Sequence, residues 1–134
     1  DSVRHPIHLN SLYPFRKMIY SGIQLQEEVT KAEKAYKKAV EYTKTSLLSF
    51  RMKPDYDQSS RYAKDAVAIF RRCGEKYYQP LLDALLLAAQ SDEQIELFNH
   101  AATEIEEAGD VYVKMNNPKE ASAAYIKVRA QVDV

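Results

Sequence analysis

Apolar residues recur at steps of three and four between Gln24 and Lys44, and this spacing constrains the fold more than any other feature of the chain. The recurring positions are Leu25, Val29, Ala32, Tyr36, Ala39 or Val40, and Thr43. Lysines and glutamates occupy most of the positions between them. Such a stripe is typical of an amphipathic helix that packs one face against a core. The sequence therefore predicts a long first helix.

The composition agrees with a helical chain that forms one domain or a fragment of one. Only 3 of the 134 residues are glycine, and alanine, lysine, glutamate and tyrosine are abundant. The 19 basic and 19 acidic residues balance, so no bulk positive field indicates a nucleic-acid partner. With Cys73 as the single cysteine, no intrachain disulfide can form, which is consistent with a reducing, cytoplasmic location. The longest apolar run, 84–89, is much shorter than a membrane span of about 20 residues.

Charge is unevenly distributed along the chain. Residues 31–72 hold eleven Lys and Arg against five Asp and Glu, whereas residues 92–110 hold seven acidic residues and no Lys or Arg. One interpretation is a pair of solvated helix faces. The other is a bipolar molecule whose basic end meets an acidic partner or a lipid surface.

Capping residues and helix breakers divide the rest of the chain. Pro54 ends any preceding helix, and Asp55 or Asp57 can cap a new helix that reaches about Cys73, with Gly74 just beyond it. The next predicted helix spans about Glu75–Gln90, or starts near Gln79, since Pro80 is tolerated only in a first turn. Two more are predicted, from a cap at Ser91 or Asp92 to about Met115 and from the turn Asn116-Asn117-Pro118 to the C-terminus.

Small and aromatic residues in the last helices follow a spacing typical of tetratricopeptide repeats, in which small residues let paired helices approach. The offset from Ala66 to Gly109 is 43 residues, longer than the usual repeat of about 34. We therefore predict an all-α fold of tetratricopeptide-like antiparallel hairpins, with longer helices, stacked in a right-handed twisted array (an α–α superhelix). The small residues expected at helix–helix contacts are Ala66, Ala101, Gly109 and Ala121.

The connection between the first two predicted helices carries a cluster of large apolar residues bracketed by basic ones. The apolar residues are Leu47, Leu48, Phe50 and Met52, and the basic ones are Lys44, Arg51 and Lys53. Soluble domains rarely place such a cluster on a connection without a use for it. Two interpretations follow: the loop folds back over the hairpin as core, or it projects as an exposed foot at a lipid surface.

The segment 34–115 resembles the soluble NSF-attachment proteins (SNAPs), the gamma type most closely. The strings that carry the resemblance are Tyr42-Thr43-Lys44-Thr45, Lys53-Pro54-Asp55-Tyr56-Asp57, YAKDAVAIF at 62–70, LFNHAA at 97–102 and IEEAG at 105–109. It covers roughly two-thirds of the chain. Residues 1–22 and the segment 77–87, with its YYQP and LLL strings, depart from the family pattern.

The resemblance implies a non-enzymatic adaptor without cofactor or metal. Members of the family bridge syntaxin-like SNARE bundles to the hexameric ATPase NSF, which disassembles them in vesicle trafficking. They are longer than this chain, so 23–134 would be the N-terminal helical-repeat region, preceded by an irregular head at 1–22. The region that engages the ATPase would lie elsewhere. The implied location is the cytosolic face of a membrane.

The resemblance also implies two sets of site residues. The loop residues Leu47, Leu48, Phe50 and Met52, with Lys44, Arg51 and Lys53, would contact the membrane. The basic residues Arg61, Lys64, Arg71 and Arg72 would contact the acidic surface of the SNARE bundle, because a guanidinium can bind carboxylates in a bidentate manner. The alternative function is a generic tetratricopeptide-type module that holds a peptide in its groove.

Overall fold

The computed structural model describes residues 22–132 as an array of helices. The helices are α1 (Gly22–Tyr42), α2 (Tyr56–Phe70), α3 (Tyr78–Gln94), α4 (Phe98–Lys114) and α5 (Pro118–Val132), with a short 3₁₀ turn at Glu75–Tyr77. The described residues contain no β-strand, and one isolated bridge joins Ser46 to Arg51. The all-α prediction is therefore confirmed. The predicted head lies outside the described residues except for Gly22, which begins α1.

The apolar stripe on α1 packs against the rest of the array, as its spacing predicts. Val29, Ala32 and Ala39 are buried, and Leu25 and Tyr36 pack against the same core from half-buried positions. Each helix packs chiefly against the helices that precede and follow it in the chain. Helical contacts between sequence neighbours therefore build most of the fold.

The first turn of α2 is capped by Asp55, one of the two residues predicted for this role. Its carboxylate accepts a hydrogen bond of 3.1 Å from the backbone N–H of Gln58, which satisfies one of the amides left without a partner at a helix start. Asp57 lies inside the first turn, where its charge favours the positive end of the helix dipole. The helix ends at Phe70 rather than at Cys73.

The predicted helix start at Ser91 or Asp92 is wrong. Both residues are buried within the last turns of α3, which continues to Gln94. The helix ends where Glu96 adopts a positive φ of 64° and the N–H of Leu97 donates to the Asp92 carbonyl at 2.8 Å, a Schellman motif. Serine and aspartate favour helix starts when their side chains bond to local amides. Here the two side chains bond across to α2 instead.

The predicted turn before α5 is confirmed and uses the same C-terminal motif. Asn116 adopts a φ of 62°, a conformation that asparagine tolerates better than most residues. The N–H of Asn117 donates to the Tyr112 carbonyl at 2.9 Å. Pro118 then begins α5, where its missing N–H costs nothing.

Within residues 22–132, the core forms one large cluster and two smaller ones. The large cluster draws on all of α1 to α4 and includes Val29, Val67, Phe70, Leu82 and Leu85. A smaller cluster joins α3, α4 and α5 through Ala89, Ala101, Ile105 and Ala124, and the third contains Ala39, Ala63 and Ala88.

The small residues predicted at helix–helix contacts lie there. Ala66, Ala101 and Ala121 are buried. A Cβ atom added to Gly109 would lie 2.6 Å from the ring of Tyr125 on α5. Only hydrogen therefore fits at Gly109 with the Tyr125 ring in its present position.

Candidate functional site

The connection between α1 and α2 folds as a closed hairpin. At its base the N–H of Asp55 donates to the carbonyl of Tyr42 at 2.8 Å. Near its tip Ser46 and Arg51 exchange two backbone hydrogen bonds of 2.8 and 2.7 Å. These bonds give the connection a defined shape, with residues 47–50 at the turn.

The apolar side chains of this hairpin are exposed. Their exposed fractions are 82% for Leu47, 96% for Leu48, 87% for Phe50 and 75% for Met52. The interpretation of the loop as core is therefore wrong, and the predicted exposure is confirmed. We call these four residues the apolar tip. Lys44 and Lys53, which bracket it in sequence, are exposed as well.

Phe50 occupies a strained backbone position at the apolar tip. Its φ of 55° lies in the left-handed region, which a bulky side chain rarely adopts and which costs on the order of 1 kcal/mol or more. Glycine or asparagine would form the same turn with less strain. The aromatic ring at this position is 87% exposed and gains little from packing. This combination of strain and exposure is typical of a residue that serves binding.

Arg51 anchors the hairpin to the helices instead of pointing outward with the apolar tip. It is half-buried, its guanidinium carbon lies 4.6 Å from the centroid of the Tyr42 ring, and Nη1 donates to the Glu41 carbonyl at 3.4 Å. The Tyr42 ring stacks on Tyr62 of α2 with centroids 5.7 Å apart. Arg51, which the sequence groups with the lipid-contact residues, thus also connects the hairpin to α1.

Two of the four basic residues predicted to bind a SNARE bundle make ion pairs with α4. Arg71 donates from Nε and Nη2 to the two carboxylate oxygens of Glu107, each at 2.8 Å. This bidentate hydrogen bond raises the pKa of the Arg71 guanidinium, against a smaller lowering by burial. Lys64 lies 3.5 Å from Glu104. Parts of the basic stretch and of the acidic stretch therefore neutralise each other inside the fold.

Lys64 also reaches a fully buried carboxylate, Asp92 of α3. Its Nζ lies 3.0 Å from Oδ2 of Asp92, an ion pair without hydrogen-bond alignment. The hydroxyl of Ser60 donates to Oδ1 at 2.5 Å, and Nζ of Lys64 lies 3.5 Å from Nδ1 of His100. We call Ser60, Lys64, Asp92 and Glu104 the polar junction, because they join α2, α3 and α4.

A second buried hydrogen-bond chain runs beside the polar junction. Ser91 donates its hydroxyl proton to Ser59 at 3.0 Å, and Ser59 donates to the carbonyl of Ala39 at 2.8 Å. Sequence reasoning missed both networks. The sequence feature that could have predicted them is the pair of polar dipeptides 59–60 and 91–92, which lie beside the alanine-rich faces of their helices.

Glu104 is held in its protonated form near neutral pH by the polar junction. Burial raises its pKa to about 8, and a hydrogen bond with Asp92 and the charge of that residue act in the same direction. The nearby Lys64 ammonium lowers the pKa and offsets only part of this effect. A neutral Glu104 carboxyl can donate a proton toward Asp92, which relieves the repulsion between two buried carboxylates.

The other two predicted SNARE-binding residues face solvent. Arg61 lies on α2 and Arg72 lies two residues beyond its end, and both are exposed. Lys64 on α2 and Arg71, the C-cap residue of that helix, each bind a carboxylate of α4. Lys64 and Arg71 are therefore partly neutralised within the fold.

Cys73 lies in a poor environment for a nucleophile. It is buried, and burial followed by the charge of Glu28 raises the pKa of its thiol. Its Sγ donates to the carbonyl of Ile69 at 3.2 Å. Residues 22–132 contain no group of three or more His, Cys, Asp or Glu that could hold a metal ion. Over the same residues, none of the helices combines the length and the apolar character needed to cross a bilayer.

No protein-family model matches the sequence, and no curated protein matches it either.

Proposed function

We propose that this chain is the membrane-proximal, N-terminal part of a SNAP-like adaptor that binds SNARE bundles at membranes. The apolar tip is the observation that carries the proposal, because it holds four large apolar side chains that are each at least 75% exposed. A hairpin closed by backbone hydrogen bonds presents them at one end of α1 and α2. In this proposal the helices form a tetratricopeptide-like, right-handed superhelix, and regions outside this chain recruit the NSF-type ATPase.

The chemistry of the apolar tip fits shallow insertion into a bilayer. Full burial of one such side chain is worth about 1.5–3 kcal/mol, so partial insertion of four supports reversible binding. Lys44 and Lys53 are exposed beside the tip, and each adds about 1 kcal/mol on an anionic surface. The strained backbone at Phe50 supports the same function, because the exposed ring does not stabilise the fold and is free to contact a membrane.

Contact with an acidic helical bundle is assigned in this proposal to the exposed side of α2 and the turn that follows it. Arg61 of α2 and Arg72, just beyond the end of that helix, are both exposed, and guanidinium groups bind carboxylates in a bidentate manner. Lys64 and Arg71 contribute less, since each already binds carboxylates of α3 or α4.

The direct test of membrane contact replaces Leu47, Leu48, Phe50 and Met52 together by serine. The expected result is a large loss of co-sedimentation with anionic phosphatidylserine liposomes and a melting temperature close to that of the parent. The matched control replaces exposed apolar residues far from the tip, Val113 and Ile126, by serine. An equal loss in this control, or a loss of stability without a loss of liposome binding, would contradict the proposal.

A single substitution separates the strain at Phe50 from its binding role. Phe50→Asn relieves the left-handed strain, because asparagine adopts this region readily. The variant should melt at the same temperature as the parent or higher, while its liposome binding falls. Unchanged binding would mean that the ring is dispensable at the membrane.

The test of SNARE contact uses charge reversal only where the fold tolerates it. Arg61→Glu with Arg72→Glu should weaken binding to a purified SNARE bundle and leave helix content unchanged. The salt dependence of binding should also decrease, since surface charges are screened by salt. If binding persists in this variant but a peptide with an acidic tail competes for it, the peptide-binding module is the better description.

A further inference from the structure

A groove between α1 and α2 lies beside the hairpin and is not used by the proposed membrane or SNARE contacts. Its volume is about 450 Å³, within the range of small-ligand sites. The residues that carry its chemistry are Lys34, Lys37, Lys38 and Glu41 of α1, with Tyr62 and Asp65 of α2. Because α1 and α2 are the helices that the hairpin connects, the groove and the apolar tip belong to one end of the molecule.

Three lysines give the groove its charge, and they differ from the basic residues of α2. Lys37 and Lys38 lie three and four residues after Lys34, so the Cβ atom of Lys34 is about 5–6 Å from that of each of them. Within the described part of the chain none of the three forms an ion pair, although Glu41 and Asp65 line the same groove. Their ammonium groups are therefore available to an anionic ligand with more than one phosphate.

The other lining residues favour a ligand that is more than a bare phosphate. Tyr62 supplies an aromatic wall, with Nζ of Lys38 5.2 Å from its ring centroid. The carboxylates of Glu41 and Asp65 can accept hydrogen bonds from hydroxyl groups. Closely spaced phosphates on a ring that also carries hydroxyls would satisfy both the lysines and the carboxylates.

The position of the groove relative to the apolar tip indicates the source of such a ligand. Lys38 lies one turn before the end of α1 at Tyr42, which is about 6 Å along the axis. The headgroup layer of a bilayer is about 5–8 Å deep on each side of the hydrocarbon. Lys37 and Lys38 therefore lie near the base of the hairpin that carries the apolar tip, which makes a membrane lipid the source of the headgroup that we consider.

We propose that this groove binds the polyphosphorylated inositol headgroup of a membrane lipid. In this arrangement Lys34, Lys37 and Lys38 bind the phosphates, while Glu41 and Asp65 accept hydrogen bonds from ring hydroxyls. The apolar tip provides general membrane contact, and the groove selects the lipid. This inference adds to the proposed function and depends on it for the membrane as the source of the ligand.

The test compares phosphatidylcholine vesicles that contain phosphatidylinositol bisphosphate with vesicles of equal charge that contain phosphatidylserine. The triple variant Lys34→Gln, Lys37→Gln and Lys38→Gln should bind the bisphosphate vesicles at least about tenfold more weakly than the parent. Its binding to phosphatidylserine vesicles should change much less. The matched control replaces Lys76, Lys114 and Lys119, three exposed lysines outside α1 and α2, by glutamine and should keep the preference. Equal losses on both vesicles, or in both variants, would overturn the proposal.

A second measurement separates failure of the groove from failure of the membrane proposal. Soluble inositol trisphosphate, titrated by calorimetry without vesicles, should bind the parent and the serine variant of the apolar tip equally, and the triple variant poorly. If the parent binds vesicles through its tip but shows no preference for the bisphosphate and no heat with the soluble headgroup, the groove proposal is wrong and membrane contact stands. If the parent binds the soluble headgroup but none of the vesicles, the groove binds inositol phosphates and the proposal that they come from a membrane lipid is wrong. If an acidic peptide binds the groove and inositol phosphates do not, the site belongs to a peptide.

Discussion

The lysines of α1 and the basic residues of α2 belong to the same basic stretch of sequence, yet the fold places them in different electrostatic environments. Lys34 and Lys37 of α1 are exposed beside a groove, without ion-pair partners among residues 22–132. Lys64 and Arg71 of α2 bind carboxylates of α3 and α4. An excess of positive charge in a sequence therefore overstates the charge that a partner can meet, because some of it stabilises the fold.

The largest difference between the two environments should appear when a lysine loses its charge. Lys64→Met leaves Asp92 buried without its cation, a change that costs several kcal/mol at fully buried sites. Because 38% of the Lys64 side chain is exposed, we expect a smaller loss of about 2 kcal/mol. Lys34→Met on α1 should stay within about 0.5 kcal/mol of the parent. Urea unfolding of both variants measures the difference in the free energy of unfolding. Equal values would show that the Asp92–Lys64 pair contributes no more to stability than an exposed lysine does.

The pH dependence of stability should sharpen the comparison at the polar junction. Glu104 has an ordinary pKa of 4.5 when unfolded and a pKa of about 8 in the fold. Between these values the folded state holds one proton more than the unfolded state. The stability that this proton provides is complete below about pH 4.5 and is lost as the pH rises through about 8.

Glu104→Gln keeps the neutral form at every pH and should remove this loss. Relative to the parent, the variant should be equally stable near pH 4.5 and more stable by on the order of 2 kcal/mol at pH 9. Lys64, Asp92 and His100 face the same junction and are present in both proteins, so the substitution changes Glu104 alone. Chemical denaturation at several pH values gives the two profiles. Parallel profiles would mean that Glu104 titrates normally.

Sequence periodicity predicted the helices well because it reports local burial. The stripe on α1, the cap at Asp55 and the turn at Asn116 all depend on residues within a few positions of each other. The end of α3 depends on more distant residues: Ser91 and Asp92 lie inside the helix because Ser59 and Ser60 of α2 receive their side chains. Sequence-local capping rules therefore gave the wrong boundary there.

The candidate sites were predictable to different degrees for the same reason. The residues of the apolar tip left burial and exposure both open, and the resemblance to the SNAP family favoured the exposure that the structure has. The inward position of Arg51 depends on a ring of α1, and the pairing of Arg71 depends on a residue 36 positions away. Such partners are set by how the helices pack, which the spacing of residues along one helix does not reveal.

The smallest effect is expected at Arg71, where the ion pair lies on the surface. The guanidinium and the Glu107 carboxylate form two hydrogen bonds of 2.8 Å, but the side chains are 51% and 29% exposed, so water and salt screen the attraction. Arg71→Ala should cost about 0.5 kcal/mol in urea unfolding at low ionic strength and less in molar salt. Arg61→Ala, on the exposed side of the same helix, should cost close to nothing at either ionic strength. An equal loss of stability in Arg71→Ala and Lys64→Met would contradict this explanation. The burial of Asp92 would then not account for a larger contribution of Lys64 to stability.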